Sequence, residues 1–259
     1  MIEKVSLIMT TYNCREHFKI SIENALKQDY PCIELIIVDS KSTDGTLELI
    51  KEYSAKIENG EYPGKSVKWV SEKDNGIYDG MNKGIRMASG DVIAVFNDEF
   101  TTTRAISIFI NALNKGNFDG VYSDLIYANG IECKRYWHMP PASIISGWLP
   151  AHPTMYLRKS VYDEFGLYKT EYRSSSDYEF MLRILKSKKV KMNYIPKVLI
   201  RMFIGGTSSE GMKGYIRNTK EAYRALRENR IPFPLITIFC RIIRTLRQYR
   251  LSKYYKEEM

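Results

Sequence analysis

The chain has 259 residues, 44% of them hydrophobic and 12% aromatic, and carries a formal net charge of +9. This is enough apolar material for one large domain, or one domain with a tail, and it excludes a disordered or low-complexity chain. Four dispersed cysteines, Cys14, Cys32, Cys133 and Cys240, form no CxxC pair, so a structural zinc site or a disulfide framework is not expected and a reducing cytoplasm is.

Met1-Ile2-Glu3-Lys4 runs straight into an apolar segment, so no secretory signal is expected and the N-terminus is assigned to the fold. Residues 5–9 and 33–38 are short β-branched runs that read as strands. Between them, Phe18 to Gln28 places Ile20, Ile22, Ala25 and Leu26 near one helical face, which predicts a strand-helix-strand unit with parallel strands. A polar loop, Asp39 to Thr46, offers helix-capping residues before a second helix through Leu49, Ile50 and Tyr53. Residues 67–70 read as the next strand. Asn75 to Gly84 then leads through a helix to Gly90, and Asp91 to Phe96 reads as a buried strand ending at Asn97-Asp98-Glu99.

Ligands of open α/β sheets bind outside the carboxyl ends of the strands, so Thr10 to Asn13, Asp39 to Ser42 and Asn97 to Glu99 are predicted to converge. Neither GxGxxG nor GxxxxGK[ST] is present, and nucleotide binding must rest on other residues. Asp39 suits a hydrogen bond from a base or ribose, and equally suits starting a turn. Asp98 and Glu99 could hold a divalent cation together with substrate phosphates.

The second half is less regular. Gly120 to Tyr122 reads as a strand, Leu125 to Arg135 as a hairpin turning at Asn129-Gly130, and Met139 to Pro153 as a loop rich in Pro and Gly. Asp177 and Glu179 open a helix; they suit either general-base work on a hydroxyl or capping. His152 and Glu179 are candidates for an acceptor or phosphate contact. From Pro234 onward, apolar residues alternate with Arg241, Arg244, Arg247, Arg250 and Lys253, a pattern that fits an anionic membrane surface or a helix packed on protein. No recognised nucleic-acid module accompanies the charge, so no nucleic-acid partner is expected.

Taken in order, these segments resemble the inverting family 2 glycosyltransferases of the GT-A fold, in a branch found in bacterial surface-polysaccharide biosynthesis. The likeness runs from Ser6 to Asn13 through Ile37 to Thr46, Ser71 to Gly84, Gly90 to Ile93, Asn97 to Glu99, His152 to Thr154 and Ser176 to Glu179, and on to Arg201 to Ser208. The resemblance implies a Rossmann-like, mostly parallel central α/β sheet flanked by helices, with a C-terminal helical extension. Residues 1–210 would form the GT-A domain, 1–100 its nucleotide-sugar-binding half and 101–210 its acceptor half. Residues 211–259 would be a basic amphipathic extension.

The resemblance further implies that Thr10, Tyr12, Asp39 and Asp74 hold the nucleoside and that Asp98 also serves the nucleotide sugar. Asp98 and Glu99 would bind Mn²⁺ or Mg²⁺, and Asp177 would be the catalytic base. The implied donor is a nucleotide sugar, with UDP favoured, and the acceptor a glycan or polyprenyl-linked glycan. The implied location is the cytoplasm, peripheral on the inner face of the cell membrane. One departure stands out. Where the family reads Asn-x-Asp-Asp, this chain reads Asn97-Asp98-Glu99-Phe100. Either a one-residue shift lets Asp98 and Glu99 supply the carboxylates, or the chain is a non-catalytic nucleotide-sugar-binding or scaffold protein.

Overall fold

Strand and helix alternate through the first hundred residues because runs of fully apolar sequence need cover on both faces of a parallel sheet. The computed structural model describes residues 2–129, 132–141, 143–203, 211–253 and 255. Its first half comprises β1 (Val5–Thr11), α1 (Arg15–Leu26), β2 (Ile33–Asp39), α2 (Thr46–Glu58), β3 (Lys65–Ser71), α3 (Ile77–Met87) and β4 (Val92–Val95). β1 pairs in parallel with β2 and β4, and β2 with β3. Every residue of β2 is buried. Helix α1 starts and ends earlier than its apolar pattern suggests, because Asp44 of the neighbouring loop accepts the Arg15 N–H (3.0 Å) and fixes the first turn.

The second half contributes β5 (Glu99–Phe100), α4 (Ala105–Lys115), β6 (Gly120–Asn129), β7 (Glu132–Trp137), β8 (Tyr156–Arg158), α5 (Lys159–Phe165), α6 (Ser176–Lys186), β9 (Met192–Phe203), α7 (Gly211–Glu228) and α8 (Pro234–Ser252). The nine strands form one sheet in the order β3-β2-β1-β4-β8-β6-β9-β5, with β7 paired to β6. Antiparallel pairs enter where the second half joins, at β4·β8, β6·β8, β6·β7 and β5·β9, whereas β6·β9 is parallel. The expected hairpin is present as β6 and β7, although Gly130 of its turn lies outside the described residues.

The amino ends of the central strands are locked by one buried carboxylate. Glu34 accepts bonds from the Ser6 hydroxyl (2.6 Å), the Ser89 N–H (2.8 Å) and the Ser89 hydroxyl (2.7 Å), and pairs with Lys68 (2.9 Å). Burial alone would raise its proton affinity; these partners outweigh it and bring the carboxyl down to about 2. Gly90 closes over this knot, where a Cβ would come within 2.6 Å of Ser6 Oγ.

Helix α8 packs inside out. Its polar side faces the domain: Gln248 Oε1 accepts from Arg135 Nε (2.6 Å), the Arg241 guanidinium lies 4.5 Å over the Tyr178 ring and Arg244 lies 4.9 Å over Trp148. Leu235, Phe239 and Leu246 are 70%, 62% and 66% exposed on the opposite side. No helix among the described residues is long and apolar enough to cross a membrane.

Candidate active site

The sheet order β2-β1-β4 makes the carboxyl ends of β1 and β4 a topological switch point, the place where open α/β sheets bind ligands in a crevice. Thr10 and Asn97 close its floor. The Thr10 N–H donates to Asn97 Oδ1 (2.9 Å), and the Asn97 amide donates back to Thr10 Oγ1 (3.0 Å). The loops after β1 and β2 are stitched to each other. Asn13 Oδ1 accepts the Thr43 N–H (2.8 Å), and Ser42 Oγ accepts the Asn13 N–H (2.9 Å).

Tyr12 stands out from this loop pair with 64% of its surface exposed, an open aromatic face above the crevice. Asp74 is half-buried, and its Oδ1 accepts the Gly76 N–H (3.0 Å). Gly80 of α3 lets the helix approach: a Cβ there would lie 3.2 Å from Asp74 Oδ2 and 3.4 Å from Thr10 Cγ2. Thr10 and Asp74 are thus brought together, as their motifs lead one to expect. Asp39 differs. Its side chain is completely buried beneath the loop, accepting from the Ser71 hydroxyl (2.5 Å) and the Ser42 N–H (3.1 Å). In this structure it fixes the loop from below.

Beyond β4, the chain turns so that Phe100 points into the core, stacked on Phe96 with centroids 4.1 Å apart. Asn24 holds its backbone at both ends, accepting its N–H (2.7 Å) and donating to its carbonyl (3.2 Å). The two preceding acids are left at the rim. Asp98 is buried and, among the described residues, receives one long bond, from the Phe203 N–H (3.4 Å). Burial pushes its carboxyl up to about 7; the Phe203 N–H opposes the rise and the charge of Glu99 adds to it. Glu99 faces Arg201 across the β5·β9 pair, 3.5 Å away.

A buried, poorly satisfied carboxylate beside a second one offers the hard oxygen donors that Mg²⁺ or Mn²⁺ takes along with substrate phosphates. The described residues contain no group of three or more His, Cys, Asp or Glu side chains that could hold an ion unaided.

On the other wall, Asp177 opens α6, and its Oδ1 accepts the Tyr78 hydroxyl from α3 (2.8 Å). His152 lies in a short 3₁₀ turn (His152–Thr154), its Nε2 2.9 Å from the Tyr168 hydroxyl. Burial lowers the proton affinity of this imidazole, against the opposing field of Asp177, so it is neutral at pH 7. Asn82 binds the backbone of Tyr168 in both directions (2.8 and 3.0 Å), which ties α3 to the second half. Tyr127 of β6 feels the charge of both acids. Burial raises its phenol, Arg135 opposes that, and the Asp98 and Asp177 charges add to the rise.

Glu179 does not join the crevice. Its buried carboxylate pairs with Arg183 (3.0 Å) and Lys169 (3.2 Å) and accepts from the Asn229 amide (3.2 Å), so it braces α6 against the end of α7. Tyr78, Asn82 and Tyr168 are functional neighbours that motif reading did not single out. Their signal was the Ile77-Tyr78-Asp79-Gly80-Met81-Asn82 run itself, whose polar partners lie far along the chain. The run 204–210, with Gly205-Gly206-Thr207-Ser208, lies outside the described residues.

Residues 6–192 match the family model described as Glycosyl transferase family 2. The chain belongs to that glycosyltransferase family. It is 25% identical over 243 residues, 80% of this chain and 71% of the relative, to a dolichyl N-acetyl-α-D-glucosaminyl phosphate 3-β-D-2,3-diacetamido-2,3-dideoxy-β-D-glucuronosyltransferase of Methanococcus voltae. It is 26% identical over 224 residues, 84% of each chain, to the UDP-Glc:α-D-GlcNAc-diphosphoundecaprenol β-1,3-glucosyltransferase WfaP of Escherichia coli. Among solved structures it resembles the mannosyltransferase PcManGT of Pyrobaculum calidifontis in complex with GDP-Man and Mn²⁺. That likeness has a TM-score of 0.68 at 15% identity, over 97% of this chain and 74% of that one. The fold of this glycosyltransferase is GT-A, with the expected helical extension at its C-terminus.

Proposed function

We propose that this glycosyltransferase moves a sugar from a UDP-sugar to a polyprenyl-linked glycan, with inversion, during assembly of a surface polysaccharide. The observation that carries this reading is a buried Asp98 beside Glu99 just past the carboxyl end of β4, in a chain whose residues 6–192 match a glycosyltransferase family model. Asp98 supplies negative charge where a diphosphate and its cation would sit, Asp177 where an acceptor hydroxyl would approach. The choice of UDP and of a lipid-linked acceptor rests on what the name of the WfaP relative states for that protein.

In this reading Tyr12 offers its ring to the nucleobase, Thr10 and Asp74 line the nucleoside pocket, and Asp39 shapes it from beneath. Asp98 and Glu99 hold Mn²⁺ or Mg²⁺, which when bound offsets the charge that develops on the departing diphosphate. With Phe100 committed to the core, these two acids fill the role that the family gives to its Asp pair, which favours a transferase over a non-catalytic binder. Asp177 takes the proton of the acceptor hydroxyl as that oxygen bonds to the anomeric carbon. The bond from the anomeric carbon to the phosphate oxygen breaks on the opposite face, and the nucleoside diphosphate leaves with the electron pair. His152, half-buried, contacts the acceptor from the same wall. Glu179 is assigned a bracing role only.

Residues 1–210 act as the transfer domain, and α8 in 211–259 as the contact with an anionic membrane surface. Its outward stripe of Leu235, Phe239, Ile242 and Leu246 is edged by exposed Arg247, Arg250 and Lys253, and the helix contains no acidic residue. A panel of UDP-, GDP- and dTDP-sugars with Mn²⁺ or Mg²⁺ tests the reading, with transfer to polyprenyl-diphosphate-linked sugars as readout. Activity indifferent to Asp177→Asn would remove the base.

A further inference from the structure

Tyr78 belongs to the nucleotide side of the crevice, one turn from Asp74, yet its hydroxyl donates to a carboxylate 99 residues away. The phenol is 7% exposed, so water has little access to that bond. Helix α3 cannot drift from this position. Gly76 is tied to Asp74, Gly80 sits against Asp74 and Thr10, and Asn82 grips the backbone of Tyr168 from both sides. The Tyr78 ring leans on Tyr168, with centroids 5.9 Å apart.

The terminal torsion of an aspartate is broad and close to two-fold, so a carboxylate at a helix start does not choose an orientation alone. A donor fixed on a separate, rigid helix makes that choice. The other groups facing Asp177 do different work. His152 is neutral and bonded to Tyr168, while Tyr168 and Tyr127 feel the Asp177 charge at longer range. Arg241 lies over the ring of the adjacent Tyr178.

We infer that Tyr78 is a positioning residue for the base: its hydroxyl holds Asp177 by Oδ1 and leaves Oδ2 to receive the acceptor proton. This rests on Asp177 being the base. A phenylalanine keeps the ring packing and removes the hydroxyl, which also lies within reach of the Ser176 and Asp177 N–H groups.

The test compares kcat and KM of the parent and Tyr78→Phe on the donor found in the panel, with thermal melts on the same preparations. In Tyr78→Phe kcat is expected to fall about 10- to 100-fold while KM for donor and acceptor and the melting temperature stay close to those of the parent. In an Asp177→Asn background the same change should cost little further, because the group being oriented is gone. Site-specific 4-fluorophenylalanine at position 78, which fills the place of the hydroxyl without a proton to donate, should show the same loss; it also decides the matter if Tyr78→Phe does not fold. An unchanged kcat, or a loss just as large in the Asp177→Asn background, overturns the inference. A fully active Asp177→Asn would instead overturn the base assignment.

Discussion

Two buried carboxylates at opposite ends of the same sheet follow opposite rules. Glu34, at the amino end of β2, is saturated by Ser6, Ser89 and Lys68 and is held at about 2. Asp98, past the carboxyl end of β4, has among the described residues one long bond from a backbone N–H and is pushed up to about 7. A charge buried with all its partners is part of the scaffold. A charge buried without them is held in readiness for something the polypeptide does not supply. The amino ends of these strands therefore serve stability, and the carboxyl ends carry function.

The largest effect that would sharpen this contrast is expected at Asp177. Asp177→Asn should lower turnover by about 10²- to 10⁴-fold while the melting temperature stays close to that of the parent, because the site is at the functional end. Transfer assays and thermal melts on the same preparation check both halves of the statement.

Glu34→Ala should do the reverse. It strands the Ser6 hydroxyl in the core and takes the acceptor from both donors of the exposed Ser89, so a loss of about 2 kcal/mol in urea unfolding is expected, with turnover per folded molecule retained. The pH dependence follows from the direction of the shift. The folded carboxyl lies below its ordinary 4.5, so its contribution is full above about pH 4.5 and fades as pH falls toward 2. Unfolding curves of the parent and variant should converge over that window.

Asp98→Asn is expected to be gentler and of opposite sign. The folded carboxyl lies above its ordinary 3.8, so the metal-free fold loses stability as pH rises from about 4 through about 7. At pH 8 without divalent cation the variant should be more stable than the parent by about 1–2 kcal/mol. Metal-dependent turnover should be lost. A variant that is less stable at pH 8 would break the comparison between the two ends.

The smallest effect on the fold is expected from α8. Replacing exposed Phe239 and Leu246 together by Ser removes little packing, so thermal stability should change by only about 0.5 kcal/mol. Co-sedimentation with vesicles containing phosphatidylglycerol should nevertheless fall sharply relative to the parent. Undiminished sedimentation would reassign the stripe to a protein partner.

The parallel half of the fold was legible in the sequence because β1, β2 and β4 are continuous apolar runs ended by polar residues, and a doubly covered strand must look that way. The gathering of Thr10 to Asn13, Asp39 to Ser42 and Asn97 to Glu99 at one end of the sheet followed from where those runs end, whereas Asp74 and Asp177 joined that group only through the family resemblance. Other features depended on partners remote in the chain. Asp39 reads as a ligand or as a turn residue until Ser71, on a different strand, is seen to occupy it. Glu179 looks like a partner of Asp177 until Lys169 and Asn229 claim it. Tyr78, an aromatic in the first turn of a helix, reads as core filler, and only tertiary structure brings its hydroxyl to Asp177. For α8, amphipathicity defines two faces without saying which one docks, and the cation–π contacts of Arg241 and Arg244 turned the apolar face outward.

The double bond between Asn82 and the backbone of Tyr168 bears on how such an enzyme can be re-engineered. Because α3 is fastened to Thr10 and Asp74 on one side and to Asp177 and Tyr168 on the other, the halves are not interchangeable modules. A donor half grafted onto a different acceptor half would need a tyrosine and an asparagine four residues apart, matched to an aspartate and a free backbone segment on the other side. The loop between β7 and His152 offers no easier ground for redesign, since Met139, Leu149 and Ala151 are core residues and Trp148 carries Arg244 of α8.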